Sequence, residues 1–171
     1  MSGHSTCPTR WLSQDERAAW LAVSGLIAKL PSALDAQLQR DASLSYFEYM
    51  VLAVLSEQPD RTLQMSEIAA FASASLSRLS HTATRLESQG LITREPAPGQ
   101  GRGRRMQATL TEAGYEKVRA TALDHVTHVR ELLIDDLTAH EIAVLTRIGN
   151  RALDRIEAAS TAKDEQDPDM T

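Results

Sequence analysis

The sequence predicts a mainly α fold with one small β-hairpin, and three observations predict it. Amphipathic stripes opened by capping boxes fill both ends of the chain. A short helix, a small-residue turn and a longer amphipathic helix occupy the middle. Directly after them, two strand-like runs flank a loop of glycines and arginines. Helix, turn, helix, strand, basic loop, strand is the order a winged helix-turn-helix needs, with the loop as the wing tip. The expected architecture is therefore mainly α with a small β-wing: a winged helix-turn-helix lobe plus a helical dimerisation region.

The elements follow in order. Residues 1–12 read as a flexible arm. Ser13, with Glu16 three residues on, forms a capping box that opens the first helix. Trp20, Val23, Ile27, Leu30, Leu34 and Leu38 make one stripe at steps of three and four, and Pro31 should kink that helix or split it. A second helix over 45–56 points Phe47, Met50, Val51, Val54 and Leu55 inward, with Tyr46 and Tyr49 flanking that face. Pro59 and Asp60 end it. Residues 61–63 suit a very short strand.

A short helix from Gln64 or Met65 runs through Ile68, Ala69 and Phe71, and Ala69 is small enough for a close helix crossing. The turn is Ala72-Ser73-Ala74. Serine stands where such a turn usually has glycine, so a left-handed residue is not guaranteed. Ser75 is a good N-cap for the next helix, which buries Leu79, Ala83 and Leu86 and stops at Gly90. Residues 91–94 read as a strand ended by Pro96 and Pro98. The hairpin tip spans 99–105 and the return strand 106–110. Thr111 caps a long helix with Val118, Ala122, Val126, Val129 and Leu133 along it. Thr138 and Glu141 box the last helix, whose stripe is Ile142, Leu145, Gly149, Leu153 and Ile156. Together the terminal helices carry more apolar face than one small lobe can cover, and such faces usually pack on a second subunit.

The formal net charge of -5 argues against a polyanionic partner until its distribution is read. Residues 61–111 hold seven arginines (Arg61, Arg78, Arg85, Arg94, Arg102, Arg104, Arg105) against Glu67, Glu87 and Glu95. An acidic chain thus concentrates its positive charge in the one segment that looks like a nucleic-acid reader, and local field decides what such a surface attracts. Cys7 is the sole cysteine, which excludes an intrachain disulfide. No apolar run approaches the ~20 residues of a membrane helix, and the first dozen residues lack a signal peptide's pattern; the expected location is cytoplasmic, without membrane contact. Residues 160–171 are polar and acidic and are expected to be a disordered tail.

On the face of the 75–89 helix opposite its core stripe lie Ser77, Arg78, His81, Thr84, Arg85 and Ser88, with Thr82 at the border. Arg78 could read guanine with its planar fork or hold phosphate; His81 could donate to a base edge or phosphate, or simply be solvated; Arg85, later in the helix, suits phosphate or a structural contact. The glycine-rich loop lacks a Walker lysine and dinucleotide spacing, so a nucleotide cradle is the weaker reading. His125 and His128 share a helix face, but with His140 they form no convincing metal set, and solvated or interface histidines are the better account. No nucleophile elbow, HExxH or rigid Cys/His dyad is present, so nothing supports an enzyme, and no cofactor is implied.

MSEIA at 65–69, LSHTATRLESQGLITR at 79–94, the arginine wing and LTEAG at 110–114 together resemble the MarR family of bacterial transcription regulators, over roughly 13–158. The resemblance implies a single regulator domain over 13–159, with a DNA-binding lobe at about 61–111 and dimerisation helices at about 13–40 and 112–159. It also implies a homodimer on a palindromic double-stranded operator, commonly a repressor released by a small-molecule effector. By resemblance the recognition helix is 75–89, assigning Ser75, Ser77, Arg78, His81, Thr82 and Arg85 to DNA, and Arg102, Arg104 and Arg105 to the wing. Arg104 matches the family's wing arginine. The preceding aspartate that orients it is replaced by Arg102, an added positive charge. Trp20, Tyr46 and Tyr49 could line an effector pocket between the dimerisation helices and the lobe, or be plain core. Some relatives sense oxidants through an amino-terminal cysteine on an ordered helix; Cys7, with His4 nearby, precedes the first cap, so no redox role is expected. The alternative from another class is a helical dimer that binds a small molecule or protein, with DNA binding lost.

Overall fold

The computed structural model describes residues 10–98 and 105–164. The elements are α1 (Gln14–Ala42), α2 (Tyr46–Ser56), β1 (Thr62–Gln64), α3 (Met65–Phe71), α4 (Leu76–Ser88), β2 (Ile92–Pro96), β3 (Met106–Leu110), α5 (Glu112–Val129), a π-helical turn (Arg130–Ile134) and α6 (Ala139–Asp164). They form two compact units, Met1–His125 and Val126–Thr171.

In the first unit, α1 starts at the Ser13–Glu16 capping box and runs unbroken through Pro31. The expected split does not occur, because a proline costs a helix only one hydrogen bond and one steric adjustment, and the flanking turns continue. The single stripe of α1 does divide by burial. Trp20, Val23 and Ile27 are exposed, whereas Leu34 and Leu38 are buried. Ser43 closes the helix in the left-handed region (φ 55°), and the Leu44 amide donates to the Leu38 carbonyl (3.3 Å), which turns the chain into α2. The buried face of α2 includes Leu52, which its sequence pattern had not singled out, while Phe47 and Met50 are half-buried.

The sheet is antiparallel in the order β1-β3-β2, with Thr62 opposite Thr109 and Ile92 opposite Leu110. Pro96 ends β2, as its last paired residue, opposite Met106, so the strand runs two residues past the expected 91–94; on an edge strand the missing N–H deprives no neighbour. Leu38, Leu44, Leu52, Leu55, Ile68, Leu79, Leu86 and Ile92 form the centre of the core, to which α1, α2, α3, α4 and β2 all contribute. One close approach locks the sheet to α5. Thr111 caps α5 by accepting from the Gly114 amide (3.0 Å), and its hydroxyl donates toward the Gly90 carbonyl (2.7 Å). A Cβ on buried Gly114 would collide with the Leu91 carbonyl oxygen and sit 2.6 Å from Leu110 Cδ1. Farther along, α5 buries Val118, Thr121 and His125, and leaves Val126 exposed. That stripe is rotated from the sequence expectation, because a threonine and a histidine take inward positions.

In the second unit, the Asp135 amide donates to the Arg130 carbonyl (2.9 Å), the i to i+5 bond of a π turn, and an Arg130–Asp135 ion pair spans the same residues. Thr138 and Glu141 form the expected capping box of α6. That helix continues to Asp164, beyond the point where the tail was placed; the alanine-rich run over 158–162 favours continuation. Residues 1–9 of the expected arm, with Cys7 and His4, and 165–171 of the tail lie outside the described residues.

Candidate nucleic-acid interface

The short α3 ends in the turn that aims α4. Ser73 adopts the left-handed region (φ 46°), the Ser73 amide donates to the Ala70 carbonyl (3.1 Å) and the Ala74 amide to that of Ala69 (2.9 Å). The left-handed residue is therefore present although glycine is not. Ser75 Oγ accepts from the Arg78 amide (3.2 Å), so this candidate contact serves as the N-cap. Leu79, Ala83 and Leu86 anchor α4 in the core. Three sides remain. Ser77 and His81 are exposed. Toward the wing, Leu76, Ser77 and Ser80 line a cleft of about 480 Å³ with Met65, Arg94 and Met106. Toward α2, Arg78 and half-buried Thr82 face a second hollow.

The arginines divide sharply. Arg85 is bound through Nε and Nη2 to the carboxylate of Glu48, which is buried to 1% exposure in the first turn of α2. The other oxygen of Glu48 accepts from the Ser45 amide (2.8 Å) and hydroxyl (2.9 Å). Such a buried carboxylate must be paired, so in the free protein Arg85 ties α4 to α2. Arg94 on β2 donates to Glu87 (2.6 Å) and to Thr84 Oγ1 (3.1 Å), joining the wing to α4. The Arg94 side-chain hydrogen bond holds Glu87 below the usual carboxylate range. Arg61 pairs with Glu112 (2.8 Å) and lies over the Tyr115 ring (3.8 Å). Arg78 has no ion pair among the described residues; its guanidinium carbon sits 4.4 Å from the Phe47 ring centroid. Arg105, at the wing root, is exposed, and its carbonyl accepts from the Ala97 amide (2.8 Å). Arg102 and Arg104 lie outside the described residues.

A family model, described as MarR family, matches residues 43–103, from the residue that closes α1 to beyond β2. Sco3205, a MarR family transcriptional regulator from Streptomyces coelicolor whose structure is in complex with DNA, is 39% identical; the match covers 85% of this chain and 90% of that one, with a TM-score of 0.79. The chain belongs to the MarR family. AbsC, another MarR family transcriptional regulator from Streptomyces coelicolor, is 33% identical over 88% of this chain and 99% of its own, with a TM-score of 0.79. BldR from Sulfolobus solfataricus, at 19% identity, shares the fold, with a TM-score of 0.68 over 82% of this chain and 99% of that one. No curated protein matches the chain.

In this MarR-family chain the three aromatic candidates separate. Tyr46 lines a hollow of about 590 Å³ with Pro31, Asp35, Phe47, Met50 and Arg78. The Tyr46 amide donates to Asp35 Oδ1 (2.7 Å), which fixes the start of α2 on α1. Tyr49 is buried against the His125 ring, 4.5 Å between centroids, and burial followed by the charge of Glu57 raises its hydroxyl pKa. His125 Nδ1 lies 3.3 Å from Gln37 Oε1, so this histidine belongs to a packed polar cluster and not to a solvated surface. Trp20 is exposed and does not line the hollow. Among the described residues no cluster of His, Cys, Asp and Glu suits a metal ion, and no helix is long and apolar enough to cross a membrane. Phe47 and Glu48 went unread as partners of α4. A capping-box spacing, Ser45 to Glu48, was the available signal for the second; exposed Leu76, off the inward stripe of α4, was the signal for the wing-side cleft.

Proposed function

We propose that this MarR-family chain is a sequence-specific, double-stranded-DNA-binding transcription regulator, a homodimeric repressor released by a small molecule. The carrying observation is the outward side of α4: Ser77, Arg78 and His81 stand exposed on a helix anchored at Leu79 and Leu86, with exposed Arg105 at the wing root beside it. The 39% identical Sco3205 in complex with DNA supports the same reading. In a two-fold dimer the two α4 helices would meet half-sites about one helical turn apart on a palindromic operator, Arg78 and His81 contacting base edges while Arg102, Arg104 and Arg105 meet backbone or minor groove. The effector reading rests on the hollow beside Tyr46, where apolar Pro31, Phe47 and Met50 share the walls with the hydroxyls of Ser32, Ser45 and Thr82, one guanidinium and one carboxylate, groups that can orient a small molecule. An occupant there would favour a different spacing of the two lobes from the one DNA requires. Fluorescence anisotropy on the gene's own upstream duplex tests the core of this. Binding should weaken with a log–log salt slope of several units. Absence of binding, or a nearly flat salt response, would refute it.

A further inference from the structure

Two consecutive residues of α2, Phe47 and Glu48, grip two arginines of α4, Arg78 and Arg85, which are seven residues and so two turns apart along one edge of that helix. The grips differ in kind. The Glu48 carboxylate takes N–H donors of Arg85 and withdraws that cation. The Arg78 guanidinium carbon lies over the Phe47 ring, 4.4 Å from its centroid, and a cation–π contact of this kind consumes no hydrogen-bond acceptor, so donors of the guanidinium stay available to another partner. The ring is itself a fixed platform: it packs on the core, its helix is capped by Ser45 and Glu48, and the preceding Tyr46 amide is held by Asp35.

We propose that Phe47 is a positioning residue for DNA reading, acting through Arg78; this rests on the function proposed above. An unrestrained arginine loses rotamer freedom when it makes a bidentate contact with the N7/O6 edge of guanine. Contact with Phe47 removes part of that freedom beforehand and holds the guanidinium near the start of α4, where its donors can meet a base edge. Phe47 touches no base. Its contribution exists only while the guanidinium is there.

The test is a double-mutant cycle with the full-length protein on its operator, read by anisotropy. A parallel operator carries 7-deazaguanine at the symmetric guanines whose preference Arg78→Ala relaxes. With two half-sites, Phe47→Leu should weaken operator binding roughly tenfold, and Phe47→Trp should restore it. In the Arg78→Ala background Phe47→Leu should add nothing, and its penalty should shrink on the 7-deazaguanine duplex. Thermal melts check the fold; if the Leu variant melts early, Phe47→Met removes the ring at similar volume. Equal losses from Phe47→Leu with and without Arg78 would overturn the inference, as would a Phe47→Leu variant that binds like the parent while Arg78→Ala is impaired. Either result leaves the regulator reading standing. A parent protein that binds no duplex would remove both.

Discussion

At the scale of single residues, Ser73 carries the turn on which α4 is aimed, and it does so with φ at 46°. A side chain in the left-handed region costs on the order of 1 kcal/mol relative to glycine, partly offset by the greater freedom that glycine has when unfolded. Ser73→Gly is therefore expected to raise stability by about 0.5–1 kcal/mol in urea melts; an unchanged or lowered midpoint would show that the serine relieves its own strain. This conformation was not legible beforehand, because serine is an ordinary turn residue and its φ is imposed by how α3 crosses α4. Glu48 escaped notice for a related reason. A glutamate in a first helical turn reads as a solvated cap, and the partner that makes its burial tolerable lies 37 positions away. Arg78 and His81, by contrast, stood out at once, since their exposure follows from the period of Leu79, Ala83 and Leu86.

At the scale of elements, the helices and the order of strands were legible from period and punctuation, while their limits were not. Caps such as Ser13, Ser75 and Thr138 act locally, so they appear in the sequence; the passage of α1 through Pro31 and the pairing of Pro96 depend on neighbours and do not. The tie between α4 and the wing is a titratable one. Glu87 in the folded chain has a pKa below its ordinary value, chiefly through the Arg94 hydrogen bond. Its stabilisation is thus fully present above the pKa of an unfolded glutamate and is lost as pH falls through the depressed folded value. Urea melts from about pH 6 down to about pH 3 should show an acid-side loss of stability that Glu87→Gln reduces. Parallel curves for parent and variant would mean that the Arg94 contact contributes nothing in solution, as for many exposed ion pairs.

On the whole-molecule scale, each unit presents an apolar face to solvent. Trp20, Leu21 and Ile27 are exposed on α1, and Ile148, Leu153 and Ile156 on α6. Faces of this kind are ordinarily covered by another chain, so light scattering at micromolar concentration is expected to give twice the mass of 18.8 kDa, and Ile148→Glu to shift it toward that of one chain. A single-chain mass for the parent would end the dimer proposal. The pairing of the arginines has its own consequence for how such a dimer would behave in a cell. Arg61, Arg85 and Arg94 are already engaged by Glu112, Glu48 and Glu87, so the sequence count overstates the charge available to arbitrary DNA. Weak hold on the ~10⁶–10⁹ competing genomic positions shortens each unproductive stop and leaves more protein free to find its target. Fewer copies per cell would then suffice to keep one operator occupied.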